Sequence, residues 1–237
     1  MNEKANMNIS GSSTMPGGDY AKVSVSGCGK IIGDVKAEQM VCSGVAKIEG
    51  NATIGKLTCS GACSFQQDLT VTEKATFSGA SKVLGTCKCH EMLCSGATKL
   101  EQNVSCNTLK LAGVIKVAGD VEAESVYLDG AVSIEHLLNS EEIFLKSRNT
   151  STINEIGCSK LTVKKGRISF WNALFHPKKK VLITNSIECD SCDLEGTEAT
   201  IVRGSTIVIH KGCKIERVEY TQSCTAAKGT VKEMVKI

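Results

Sequence analysis

The sequence predicts an all-β fold, a parallel β-helix with about 17 residues per turn. Three observations predict it. Glycines recur in step, at Ser26-Gly27, Ser43-Gly44, Ser60-Gly61, Ser78-Gly79, Ser95-Gly96, Ala112-Gly113 and Asp129-Gly130, with intervals of 17, 17, 18, 17, 17 and 17 residues. An internal period of this size is the signature of a solenoid. Between the glycines apolar residues alternate by two, as in strands with one buried face. The breaks between alternating runs carry turn residues, among them Gly33-Asp34, Gly50-Asn51, Gln67-Asp68, Gln102-Asn103 and Gly119-Asp120.

Each unit is counted from four residues before its glycine. Its first position reads Val23, Met40, Leu57, Ala75, Met92, Leu109, Val126, Ile143, and its third Val25, Cys42, Cys59, Phe77, Cys94, Leu111, Leu128, Leu145. The ninth reads Ile31, Ile48, Phe65, Val83, Leu100, Val117, Ile134, and the thirteenth Val35, Ala52, Leu69, Cys87, Val104, Val121, Leu138. Apolar residues at 1 and 3, 7 and 9, 13 and 15 give three short strands per turn. One turn cannot close a core alone, and stacking buries the apolar face and pairs the backbone together. Gly, Asn and Asp at the breaks supply the left-handed backbone expected of tight corners. The eighth position faces outward and reads Lys30, Lys47, Ser64, Lys82, Lys99, Lys116, Ser133, a solvated lysine column.

Along the chain, residues 1–19 are polar and rich in Ser, Gly and Asn, the composition of a disordered tail. The regular repeat fills 20–147. Residues 148–180 lose the period and hold an aromatic and basic stretch, with Phe170, Trp171 and Phe175 ahead of Lys178, Lys179 and Lys180. Alternating strands resume in 181–237 as less regular turns, a separate small β domain being the competing reading. No secretory or membrane-spanning apolar run appears, which places the expectation in the cytoplasm. Thirteen cysteines, several in inward columns, fit a reducing compartment in which they serve as small hydrophobes. The net charge of +3 does not call for nucleic acid, although residues 1–147 carry −3 and the remainder +6.

Few motifs carry chemistry. Cys189-Asp190-Ser191-Cys192 is a lone CxxC, and a structural zinc site needs a second pair. Cys87 and Cys89 of Cys87-Lys88-Cys89-His90 fall on inward positions, with His90 outward. His90, His136, His176 and His210 join no nucleophile signature. The Asp34, Asp68 and Asp120 column is shared with Asn51, Thr86 and Asn103, a mixture that fits turns better than glycosidase carboxylates. Hexapeptide acyltransferases need 18-residue turns, which the 17-residue unit disfavours. No enzyme activity, cofactor or metal is therefore expected.

The repeated Ile31-Ile32-Gly33-Asp34-Val35 and Val117-Ala118-Gly119-Asp120-Val121, the polar first segment and the all-strand core resemble the bactofilins, polymer-forming bacterial cytoskeletal proteins. The resemblance covers about residues 20–147, and the C-terminal extension is similar to the longer bacillus-type members. It implies a right-handed β-helix, nucleotide-free assembly into non-polar filaments, and a scaffold for cell shape, motility or envelope proteins, without catalytic residues. The implied partners are further copies of the chain and envelope or motility proteins.

Polymerisation is expected at the solenoid ends, because an end turn is an open strand edge. The end-turn inward residues read from the sequence are Val23 and Val25 at one end and Val218 and Tyr220 at the other. Phe170, Trp171, Phe175, Lys178, Lys179 and Lys180 form a candidate contact with a partner or an acidic membrane surface, since apolar anchors with basic flanks suit that interface. The alternatives are a monomeric β-helix binding module and, behind it, an acyltransferase-like enzyme.

Overall fold

The structure, a computed structural model, describes residues 4–166 and 180–237. These residues form strands and no helix. Their strands pair in parallel as a β-solenoid of about 17 residues per turn, as the glycine period predicts. By contact the chain divides into two compact units, Met1–Gly119 and Asp120–Ile237. The sequence places its boundary instead at 147/148, because the glycine step runs on through Gly130 without a break.

The first unit opens with β1 (Ala5–Ile9) and β2 (Ser12–Val25). The segment expected to be a disordered tail is thus strand: β1 pairs in parallel with β2, placing Met7 beside Val23 and Ile9 beside Val25. Met7 and Ile9 are 2% and 3% exposed, so two apolar residues in a polar stretch suffice to anchor a coil. The chain continues through β3 (Cys28–Cys42), β4 (Val45–Ile48), β5 (Ala52–Cys59), β6 (Ala62–Phe65), β7 (Leu69–Phe77), β8 (Ala80–Val83), β9 (Cys87–Cys94), β10 (Ala97–Leu100), β11 (Val104–Leu111) and β12 (Val114–Val117). The longer strands stack as β3-β5-β7-β9-β11 and the short ones as β4-β6-β8-β10-β12. Met40 meets Leu57, Leu57 meets Ala75 and Ala75 meets Met92, so each inward column is a column of register partners. The inward residues of all four columns are buried, Phe65 and Phe77 completely. At about 25 cal/mol per Å2 of apolar surface, such aromatics are among the strongest contributors to the core.

The corner glycines act through close approach. Among the described residues positive φ occurs only at Gly18, Gly33, Gly196, Gly212 and Gly229, and at no other residue type. The left-handed corner is therefore right for Gly33 and wrong for the Ser-Gly steps and for the Asn and Asp corners. A Cβ on Gly44 would lie 2.1 Å from the Gly27 carbonyl oxygen, and one on Gly61 2.0 Å from that of Gly44. The coils stack too closely there for any side chain.

The second unit comprises β13 (Val121–Leu128), β14 (Ala131–Ser147), β15 (Ser151–Lys165), β16 (Leu182–Leu194), β17 (Thr197–Ile209), β18 (Lys214–Ala226) and β19 (Val231–Lys236). Each pairs in parallel with the next. The strands β16, β17 and β18 thus continue the coiling of β13–β15 and do not form a separate domain. Residues 151–165, expected to hold irregular strands such as Leu161-Thr162-Val163, are the single strand β15, with Ile153, Ile156, Leu161 and Val163 inward. The step between coils varies: Ser151 pairs with Leu182 across the longest connection, whereas Leu182 pairs with Thr197.

Candidate assembly edges

Among the described residues β1 pairs with β2 alone and β19 with β18 alone, so each presents one unpaired strand edge. A parallel edge is a row of backbone donors and acceptors that another strand can complete. The glycine column also ends at the first edge. A Cβ on Gly27 would strike the Gly11 oxygen at 2.2 Å, but one on Gly11 meets nothing within 4 Å. Ser10-Gly11 is the first step of the ladder, a signal present in the sequence and missed there because the segment looked like a tail. At the second edge two apolar side chains are uncovered: Met234 of β19 is 53% exposed and Ile237, just past it, 68%.

These edges move the expected end residues inward by one coil. Val23 and Val25 are inward, as expected, but lie beneath Met7 and Ile9 of β1. Val218 is buried beside Met234, and Tyr220 is only half-buried and pairs with Lys236 of β19. None of the four is on an open edge. The extra coils come from the first segment, whose polar composition reads as a tail, and from 231–236, whose Val231, Met234 and Val235 read as either a cap or part of the contact.

Of the aromatic and basic stretch, Phe170, Trp171, Phe175, Lys178 and Lys179 lie outside the described residues. Lys180 is described and is engaged. Its Nζ donates to the Gly212 carbonyl at 3.0 Å and stands 3.9 Å from Glu198, and its own carbonyl accepts from Thr150 Oγ1 at 2.8 Å. It braces neighbouring coils, so the sequence reading of Lys180 as a contact cation gives way to a structural one.

The outward lysine column is neutralised along its length by interleaved glutamates. Glu49 accepts from Lys30 at 3.0 Å and Lys47 at 3.1 Å, and Glu101 from Lys82 at 3.3 Å and Lys99 at 2.7 Å. Lys30, then Lys47, hold the Glu49 carboxyl below the usual carboxylate range, and Lys99 does the same for Glu101. The polar corner column is a turn device, as its mixed composition indicates. Asp34 Oδ1 accepts the Asn51 backbone N–H at 2.8 Å, Asn51 Oδ1 that of Asp68 at 3.3 Å, and Asp68 Oδ1 that of Thr86 at 2.7 Å. Each side chain caps the next coil, which satisfies a donor that the corner would otherwise leave open.

Cys42, Cys59 and Cys94 share a buried column, as expected. Not all of the expected free cysteines are free, however. Cys59 and Cys63 form a disulfide, and the Cys42 sulfur lies within 4.8 Å of both. Third and seventh positions face each other across the Ser-Gly corner with Cα atoms 6.5 Å apart, a separation that disulfides span. Spacing along one strand does not reveal that pairing. Burial pushes the Cys94 thiol up to about 11. Cys87 and Cys89 are inward and His90 points out, its Nδ1 3.2 Å from Asn107 Oδ1. Cys189 and Cys192 of the CxxC are both buried on inward positions of β16.

Over 92 residues the chain is 40% identical to the uncharacterized protein YhbF of Bacillus subtilis (strain 168), covering 38% of this chain and 37% of that protein. It is 37% identical over 81 residues to the uncharacterized protein YhbE of the same organism, covering 33% of each. The chain thus spans about a third of the length of the curated relatives it matches. No family model matches the chain, and no solved structure matches it. No helix among the described residues is long and apolar enough to cross a membrane.

Proposed function

We propose that the protein is a cytoskeletal scaffold that self-assembles through its open strand edges into filaments without nucleotide. The observation that carries this reading is the pair of unpaired edges on β1 and β19, with the glycine column left open at Gly11 and Met234 and Ile237 uncovered beside the second edge. A joined edge forms several ladder hydrogen bonds at about 0.5–1.5 kcal/mol net each. Association costs about 4–15 kcal/mol, so the exposed apolar side chains decide whether polymer forms. The first partner is another copy of the chain. Envelope or motility proteins and a peripheral membrane surface are the further partners in this reading, and the cytoplasm its setting.

The test is negative-stain microscopy and pelleting of purified protein in the absence of nucleotide, with Met234→Lys alongside. The wild type should form filaments. The variant should melt as the wild type does and remain soluble, because a lysine facing an apolar contact must be desolvated to dock. A wild type that stays monomeric at all concentrations refutes the scaffold and favours a binding module.

A further inference from the structure

The second unit contains a row of thiols that the scaffold reading does not use. Ile156 and Cys158 of β15 occupy the slots that Ile187 and Cys189 fill on β16, and register places Cys158 directly beside Cys189. Cα atoms of in-register neighbours are about 4.8 Å apart, inside the range of about 4.4–6.8 Å that a disulfide requires. Around the next corner Cys192 turns inward as well. Cys158 and Cys189 therefore form a register pair of thiols, with Cys192 further along the same strand as Cys189.

The row is not sealed in the core. Cys158 is half-buried, and Cys158 and Cys189 both line a shallow cleft of about 430 Å3 whose rim carries Glu188, Asp190, Arg203 and Ser205. Arg203 is fixed there by Glu188 at 2.9 Å and Glu219 at 2.7 Å. Cys192 does not line the cleft and sits behind Cys189, 4% exposed. A small molecule in the cleft thus reaches Cys158 and Cys189 but not Cys192.

The geometry points to a reversible thiol-modification site in which Cys189 is the nucleophile toward a small organic disulfide and Cys158 resolves the adduct. In the first step the Cys189 thiolate attacks one sulfur of RS–SR. The Cys189–SR bond forms, the RS–SR bond breaks, and RS− leaves. In the second step the Cys158 thiol loses its proton to the departing thiolate and attacks the Cys189 sulfur. A Cys158–Cys189 disulfide forms and RSH is released. Two protein thiols are oxidised and one external disulfide is reduced.

The electrostatics agree with these roles. The neighbouring Cys158 thiol, then that of Cys192, lowers the Cys189 thiol, against the opposing effects of burial and Asp190. Cys158 and Cys192 are both pushed up, first by Cys189 and then by burial. In its protonated form Cys189 lies 3.8 Å from the Arg203 carbonyl and loses that contact on ionising.

The reactivity follows. An ordinary thiol near pKa 8.5 is about 0.3% ionised at pH 6 and about a quarter at pH 8. A thiol lowered from that value is more fully ionised at pH 6 and gains less thiolate between pH 6 and pH 8. The rate at Cys189 should therefore climb less steeply from pH 6 to pH 8 than that of a reference cysteine peptide.

The test treats the reduced full chain with cystamine and maps the products by mass spectrometry. The expected result is a cysteamine adduct on Cys189 that converts to a Cys158–Cys189 disulfide, at a rate that climbs less from pH 6 to pH 8 than a reference peptide's. In Cys158→Ser the Cys189 adduct should persist, and in Cys189→Ser no Cys158 linkage should form. The wild-type pH profile needs no variant to fold. A first adduct on another cysteine, or a rate that climbs with pH as the reference peptide's does, overturns the nucleophile. A Cys189–Cys192 linkage overturns the resolving role. Stoichiometric zinc that blocks cystamine overturns the redox reading in favour of a metal site.

Discussion

The same slot of the repeat is filled in two ways. In the first unit it is glycine, and the carbonyl of the preceding corner stands about 2 Å from where a Cβ would be, as at Gly61, Gly79 and Gly96. In the second unit Ser147 occupies the slot, buried, and its hydroxyl donates to the Gly130 carbonyl at 2.7 Å while accepting the Asn149 N–H at 2.9 Å. Two coils later the slot is Gly196, now at φ 60°. One unit stacks its corners as bare backbone, and the other spaces them with side chains and an altered backbone. The first arrangement keeps the step at 16 to 18 residues from Gly11 to Gly113. The second lets the step vary, and accommodates the long connection between β15 and β16.

The largest predicted effect breaks this contrast at the glycines. Gly61→Ala puts a Cβ 2.0 Å from the Gly44 oxygen, and backbone cannot yield as a side chain can. It should destabilise the fold by about 3 kcal/mol. Gly157→Ala in the second unit meets only side chains, Asn139 Oδ1 at 3.3 Å and Leu137 Cδ1 at 4.0 Å, and should stay within about 0.5 kcal/mol. Thermal melts compare the two, and equal losses would show that close stacking is not what selects glycine.

A smaller difference is expected for buried hydroxyls. Ser147→Ala strands the Gly130 carbonyl and should lose about 1–3 kcal/mol. Ser81 in the first unit is 6% exposed and its hydroxyl has no partner among the described residues. Ser81→Ala should be neutral or stabilising. Urea midpoints test this pair, and a loss at Ser81 matching that at Ser147 would contradict the account.

The smallest effect is common to both units. Lys110, then Lys74, depress the carboxyl of Glu91 in the first unit, and Arg203, then Arg217, that of Glu219 in the second. A carboxyl depressed in the folded state adds stability above its unfolded pKa of about 4.3, and that stability disappears as pH falls through the folded value. Stability should therefore fall modestly below about pH 4.3 in both units and less steeply in high salt, since these pairs are at the surface. A salt-independent acid transition would assign the effect to other groups.

The first unit was legible because one side-chain pattern at constant spacing fixes both strand and stack, and the residues named from alternation, Val23 through Leu111, are inward. The end residues were misplaced because Met7, Ile9 and Gly11 sit among polar residues, where composition outweighs a single alternation. The second unit was less legible because its coil step changes: alternation still reads Val181–Thr184, Ala199–Val202, Thr206–His210 and Lys214–Tyr220 as strands, but a fixed period does not say how they stack. The Cys59–Cys63 bond and the Cys158–Cys189 pair depend on corners and on neighbouring coils, which a linear pattern does not encode.

The most direct measurement of the central claim is pelleting of Gly11→Val beside the wild type, without nucleotide. Gly11 has open space for a side chain in the isolated chain, whereas every stacked glycine of its column from Gly27 to Gly113 has none. A second copy packing on β1 as the coils pack on each other would convert Gly11 into a stacked position. The account predicts that Gly11→Val melts with the wild type and stays in the supernatant while the wild type pellets as filaments. Filaments undiminished in Gly11→Val would contradict assembly through the β1 edge.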